Sequence, residues 1–203
     1  MASEDQHDAW YDDKSERMQL ILGPEHGMVM HAIIPFEIGG GLDLYYYPKR
    51  IRGCAIATKE LSPALGEGPN NDRFERYELV MFTRHHLDLD QARKPKSSFG
   101  KAHTSINSIL NCIAAYSQQA TLNPHQTCEF PRDMEGVGGM CLVFDEYGDS
   151  NPYVRQDFGL LAIIEVFRSE MEFAHRNGGE ALINLLKQAG HYPYSDLDRK
   201  PVA

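Results

Sequence analysis

Residues 159–166 read GLLAIIEV, a nearly continuous apolar run. A short run of this kind reads as a strand that is apolar on both faces, and such a strand belongs inside a layered sheet. The next residues continue the packing unit. Val166, Phe167, Met171 and Ala174 give one helical face, and Ala181, Leu182, Leu185, Leu186 and Ala189 give a second. Gly178 and Gly179 separate the two faces, because glycine takes a left-handed conformation at a helix end without steric cost. A single unbroken helix would lose about 1 kcal/mol at each interior glycine. The stretch therefore predicts strand, helix, glycine joint and helix, closed by Gly190.

Upstream, residues 4–22 read as a helix, with Ser3 and Gln6 spaced as a capping box. LGPEHG breaks it, and strands follow at about 28–34, at LDLYYYP, at CAIATKEL and at RYELVMFTR. Short turns between them predict an antiparallel meander. HHLDLDQARKPKSSFG reads as a long surface loop. HTSINSILNCIAAYSQQ is a helix with Ile106, Ile109, Leu110, Ile113 and Ala114 as its stripe. QTCEF and MCLVFDEY are strands, and the polar tail HYPYSDLDRKPVA lies on the surface. The expected organisation is one domain: an N-terminal helical segment over 1–27 packed on an α/β body over 28–190, with a tail over 191–203.

Composition limits the function classes. The net charge of −9 opposes phosphate backbones, so nucleic-acid binding would need a local basic patch. Arg93, Lys94, Lys96 and Lys101 form the one candidate, read here as a solvated loop. No apolar run reaches the roughly 18 residues of a membrane span. The acidic start has no signal-peptide pattern, which places the chain in the cytoplasm as an expectation. The four cysteines, none in a CxxC pair, are then reduced thiols.

Four stretches carry a resemblance: LDLYYYPK with IRGCAIATKELS, then RYELVMFTR, then SINSILNCIAAYSQQ with LNP, then FGLLAIIEVFRSEMEFAHRNGGEALINLLKQAG. In their order and spacing the chain resembles a suppressor-of-fused-like (SUFU-like) domain over about residues 28–190. The resemblance implies an α/β (α+β) fold, a bent, mostly antiparallel sheet flanked by helices. It also implies a non-enzymatic protein-binding role without a cofactor. Short bacterial members stand beside toxins, which implies an immunity or regulatory protein that sequesters one cognate partner. No binding residue of the family transfers to a position here.

Chemical motifs are weak. His85, His86, Asp88 and Asp90 could ligate a divalent metal, but adjacent histidines on an extended chain point to opposite sides. Cys112, Cys128 and Cys141 sit at mid-helix or in strands, away from a helix N-terminus that would activate a thiol. EIGGGLD lacks the Lys-Ser/Thr of a phosphate loop and reads as a hairpin turn or bulge. Tyr45 and Tyr47 share one side of their strand and Tyr46 takes the other, so at least one tyrosine should be exposed. Asp43, Glu78, Asp145, Glu146 and Asp149 read as an acidic set near exposed strand ends. Asp43, Tyr45, Tyr47, Glu78, Asp145 and Glu146 are thus the candidate partner-binding residues. Their partner is a protein, a basic toxin domain in the sharper form, met by an acidic face or by an open sheet edge. A small metal-dependent or cysteine hydrolase, or a housekeeping domain, is the alternative.

Overall fold

The computed structural model describes residues 4–148 and 151–203, so Ser3 of the expected capping box and Asp149 of the acidic set lie outside it. Among the described residues, one seven-stranded sheet runs β1 (Val29–Met30), β2 (Leu44–Tyr47), β3 (Cys54–Ala57), β4 (Tyr77–Thr83), β7 (Gly159–Val166), β6 (Cys141–Glu146), β5 (Thr127–Glu129). Every neighbouring pair is antiparallel except β4 with β7. The meander β1–β4 is as expected, and the fold is a single α+β domain.

Side-chain alternation assigns the layers. Tyr46 of β2 stacks on His103 of α3 (Ser98–Ser117), while Tyr45 reaches Tyr11 of α1 (Glu4–Leu22). Hence α3 covers one face and α1 the other. On β6 and β7, Cys141, Val143, Ile164 and Val166 pack against α4 (Arg168–Asn177) and α5 (Gly179–Gln188). The run at 159–166 is buried on both faces, as its composition predicts.

The glycine joint does two separate jobs. Gly178 ends α4 at φ 90 and ψ 150, an extended positive-φ conformation and not the left-handed helical one expected. Gly179 begins α5, and a Cβ there would stand 1.9 Å from the His125 carbonyl oxygen. Val166 belongs to β7 and Phe167 is the residue preceding α4, so neither lies on a helical face.

Two loop assignments need correction. The stretch 85–100 holds α2 (Leu89–Ala92) and the start of α3, capped by Ser97 through the Gly100 amide. Ala92 and Phe99 are buried, so this connection is packed. The tail is likewise part of the core. Pairing of β4 with β7 stops at Val80 and Ala162, although both strands run on. Residues 194–196 fill the split. The Ser195 amide donates to Phe82 O (2.9 Å) and its hydroxyl to Ile163 O (3.2 Å). Asp196 accepts from the Thr83 hydroxyl and the Arg84 amide, both at 2.6 Å. Arg199 then forms a buried pair with Glu170 at the start of α4. Polarity marked this segment as surface, but its polar groups serve as the hydrogen-bond partners of strand ends.

Candidate partner-binding surface

The six expected binding residues do not form one exposed face. Tyr46 and Tyr47 are fully buried and Tyr45 is 7% exposed. The alternation argument assumed cover on one face of β2, whereas α1 and α3 cover both. Tyr47 donates to Glu25 (3.0 Å), and the Lys59 ammonium sits 4.5 Å over the Tyr45 ring. Burial pushes the pKa of all three phenols up and keeps them un-ionised.

Glu78, expected at the surface, is fully buried beneath α1. Its carboxylate accepts from Lys14 (3.2 Å), the Thr58 hydroxyl (2.7 Å), the Leu61 amide (3.2 Å), and the Ser62 amide and hydroxyl (3.0 and 2.8 Å). Lys14 also donates to the carbonyls of Lys59 and Ser62. Desolvating two charges is offset only by this density of partners. The pair therefore fixes α1 and the 58–62 loop on the sheet, and it offers nothing to a partner.

Asp145 is also buried, facing His125 Nε2 at 3.1 Å and Lys187 at 3.5 Å. Burial pushes its carboxyl up, against the pull of Lys187. Glu146 is half-buried and paired with Arg73. Asp43 is half-buried, accepting from the Ala32 amide (2.8 Å) beside His31 Nδ1 (2.6 Å). Tyr45, Tyr47 and Glu78 thus share the α1-covered layer, and Asp145 and Glu146 stand apart on β6. A contiguous acidic, tyrosine-bearing face is overturned.

A cluster of exposed apolar residues lies elsewhere, with Met28 just before β1 and three isoleucines in the segment joining β1 to β2. Ile33 is 101% exposed, Ile38 75%, Met28 57% and Ile34 55%. The expected strand at 28–34 shrinks to Val29–Met30, because Pro35 and three glycines leave the chain no ladder to continue. Instead, Phe36–Ile38 forms a 3-10 turn, closed by hydrogen bonds from Gly40 N to Pro35 O and Gly41 N to Ile34 O. Three isoleucines in a turn built from proline and glycine are the sequence signal that the strand assignment hid. A groove of about 570 Å³ runs beside β1, walled by Met28, Val29, Met30 and His31 and by Leu89, Asp90 and Arg93 of the α2 region. β1 is an edge strand, with no strand beyond it among the described residues.

The chemical candidates are occupied otherwise. Asp88 caps α2 through the Gln91 amide, and His85 lies 3.9 Å from Asp196. Among the described residues, no three His, Cys, Asp or Glu side chains converge as a metal site. Burial pushes the thiols of Cys112, Cys128 and Cys141 up, and that of Cys54 up to about 12. These shifts oppose thiolate chemistry.

The family model for suppressor of fused protein (SUFU) matches residues 54–200. This chain belongs to the suppressor of fused family. Solved SUFU structures share its fold at low identity. The Sufu-Fu complex crystal structure matches at 16% identity and TM-score 0.59, covering 97% of this chain and 92% of that one. Drosophila Suppressor of Fused matches at 16% and 0.56, and this chain, 95% covered, spans about half (50%) of its length. A SUFU homolog from Neisseria gonorrhoeae FA 1090 matches at 11% and 0.58, with 96% and 97% of the two chains covered. No curated protein matches the chain. No helix among the described residues is long and apolar enough to cross a membrane.

Proposed function

We propose that this SUFU domain is a non-enzymatic protein-binding regulator, and that its partner docks on the apolar ledge of the β1–β2 segment. The observation that carries the reading is the exposure of Met28, Ile33, Ile34 and Ile38 in one short stretch beside an edge strand. Apolar side chains concentrated at the surface, when a core is available to hold them, mark a contact surface. The groove along β1 suits an extended segment that adds to the sheet edge. The relative solved as a Sufu-Fu complex supports protein binding as the family's mode of action.

In the narrower form of the proposal, the chain is an immunity or regulatory protein of the short bacterial type, and the ledge caps one cognate toxin domain. Two assays test the proposal. Tagged wild-type chain should capture one dominant partner from its native cell, and Ile33→Asp/Ile38→Asp should lose it while keeping its melting temperature. Equal capture by both refutes the ledge. Co-expression with the captured protein tests immunity: restored growth supports it, and unrelieved toxicity or a harmless partner rejects it.

A further inference from the structure

The groove beside β1 has one charged wall. Leu89, Asp90 and Arg93 line it opposite the apolar strand residues. Arg93 also opens a run of cations, Arg93, Lys94, Lys96 and Lys101, with no carboxylate between residues 93 and 101. Lys101 belongs to another cleft, with His85 and Asp198, so the corner beside the groove holds Arg93, Lys94 and Lys96. We propose that the partner segment lying along β1 is acidic where it passes this corner, so that its Asp or Glu side chains meet these three cations. The inference rests on the ledge reading above.

The corner is a built element. The Ser97 hydroxyl donates to Lys94 O (2.9 Å) and accepts from the Gly100 amide (3.0 Å), over the buried Ala92 and Phe99. A Cβ at Gly100 would stand 2.1 Å from Lys94 O, so the turn is closed tightly on α3. The backbone that carries the charges is therefore fixed before a partner arrives, which lowers the ordering cost of binding. The charges themselves are unspent. Arg93, Lys94 and Lys96 are exposed, and none of their side chains has an ion-pair, hydrogen-bond or ring partner among the described residues. Arg17, Arg73, Arg168 and Arg199, by contrast, each hold a carboxylate. Asp90 lines the same wall and pairs with none of the three, so the corner stays positive within a chain of net charge −9. The three Cα atoms lie within about 12 Å of one another along the chain, close to the screening length of physiological salt, so they act on a ligand together. A phosphate backbone would match the charge but not the adjoining wall of Met28, Val29, Met30 and Leu89. An extended acidic peptide matches both: backbone for the edge of β1, apolar side chains for the groove and carboxylates for the corner.

The test titrates two N-acetylated, amidated peptides, TVTVDED and its charge-reversed form TVTVKRK, into ¹⁵N-labelled full-length chain. TVTVDED should give saturable amide shifts at 28–31 and 89–97 that weaken as salt is added. Its affinity should fall about tenfold in Arg93→Gln/Lys94→Gln/Lys96→Gln, the range of two or three exposed ion pairs, and TVTVKRK should bind wild type about tenfold more weakly than TVTVDED does. The three positions are exposed and unpaired, so the variant should keep the wild-type melting temperature. Absence of saturable shifts with TVTVDED, equal binding of the two peptides, or an unchanged titration in the variant overturns the proposal. Tighter binding of single-stranded oligothymidylate at the same amides overturns it in favour of nucleic acid. Partner capture separates the two readings. Capture lost in Ile33→Asp/Ile38→Asp but kept in the triple variant retains the ledge and rejects the acidic segment. Capture lost in the triple variant but kept in Ile33→Asp/Ile38→Asp rejects the ledge and leaves the corner as the contact.

Discussion

Removing either member of the Lys14–Glu78 pair should destabilise the domain, and by unequal amounts. Lys14→Met leaves Glu78 with four donors: the Thr58 hydroxyl, the Leu61 and Ser62 amides, and the Ser62 hydroxyl. The carboxylate stays solvated by protein, so the loss falls near the low end for a broken buried pair, about 3 kcal/mol. Glu78→Leu strands more. The Lys14 ammonium keeps only the Lys59 and Ser62 carbonyls, and two backbone amides lose their acceptor. At roughly 1–3 kcal/mol for each unsatisfied buried group, this loss is about 5 kcal/mol or more. For a chain of 203 residues, each kcal/mol moves the melting temperature by about 2–4 °C. Urea unfolding followed by circular dichroism gives both values under one protocol. The reasoning fails if Lys14→Met lies within about 1 kcal/mol of wild type, or if it costs more than Glu78→Leu.

Three further outcomes are expected. Glu60 and Glu165 are held by burial at about 8 and about 7, above the 4.5 of a free glutamate. A raised carboxyl contributes stability that is complete below 4.5 and gone above its folded value. Wild type should therefore lose stability between pH 4.5 and 8, and Glu60→Gln should flatten that slope in melts across the range; parallel slopes contradict it. Asp196→Ala removes the acceptor of Thr83 and Arg84 and should cost about 3 kcal/mol by denaturant titration, whereas a tail without structural weight would cost under about 0.5. Gly179→Ala should cost about 1–3 kcal/mol, because its Cβ would displace the His125 carbonyl; a neutral melt would show that the α4–α5 joint shifts freely.

The sequence disclosed whatever was coded by periodicity. The stripe of α3, the meander and the double-faced β7 follow from side-chain spacing, and the structure places them accordingly. Burial of charge was not coded in this way. Glu78 sits in an alternating strand as any solvent-facing glutamate would, and its partner is 64 residues away in α1. The tail misled for a related reason: Ser195 and Asp196 look like surface residues until the unpaired ends of β4 and β7 are in place. Tyr45 and Tyr47 followed the alternation rule and still proved buried, because cover on a second face comes from a distant helix. The ledge was legible in principle. Ile33, Ile34 and Ile38 flank Pro35 and precede three glycines, and that composition makes a continuous strand costly.

The segment at 194–196 closes the middle of the sheet, and it follows every other described element in the chain. During synthesis, β4 and β7 emerge from the ribosome well before the residues that satisfy Phe82, Thr83 and Ile163. Those strand ends stay open to water, or to any passing β-segment, until the tail arrives. Vectorial synthesis thus delivers a nearly complete sandwich with an unlatched centre, and a chain halted short of residue 194 should be a substrate for chaperones even though its helices have formed.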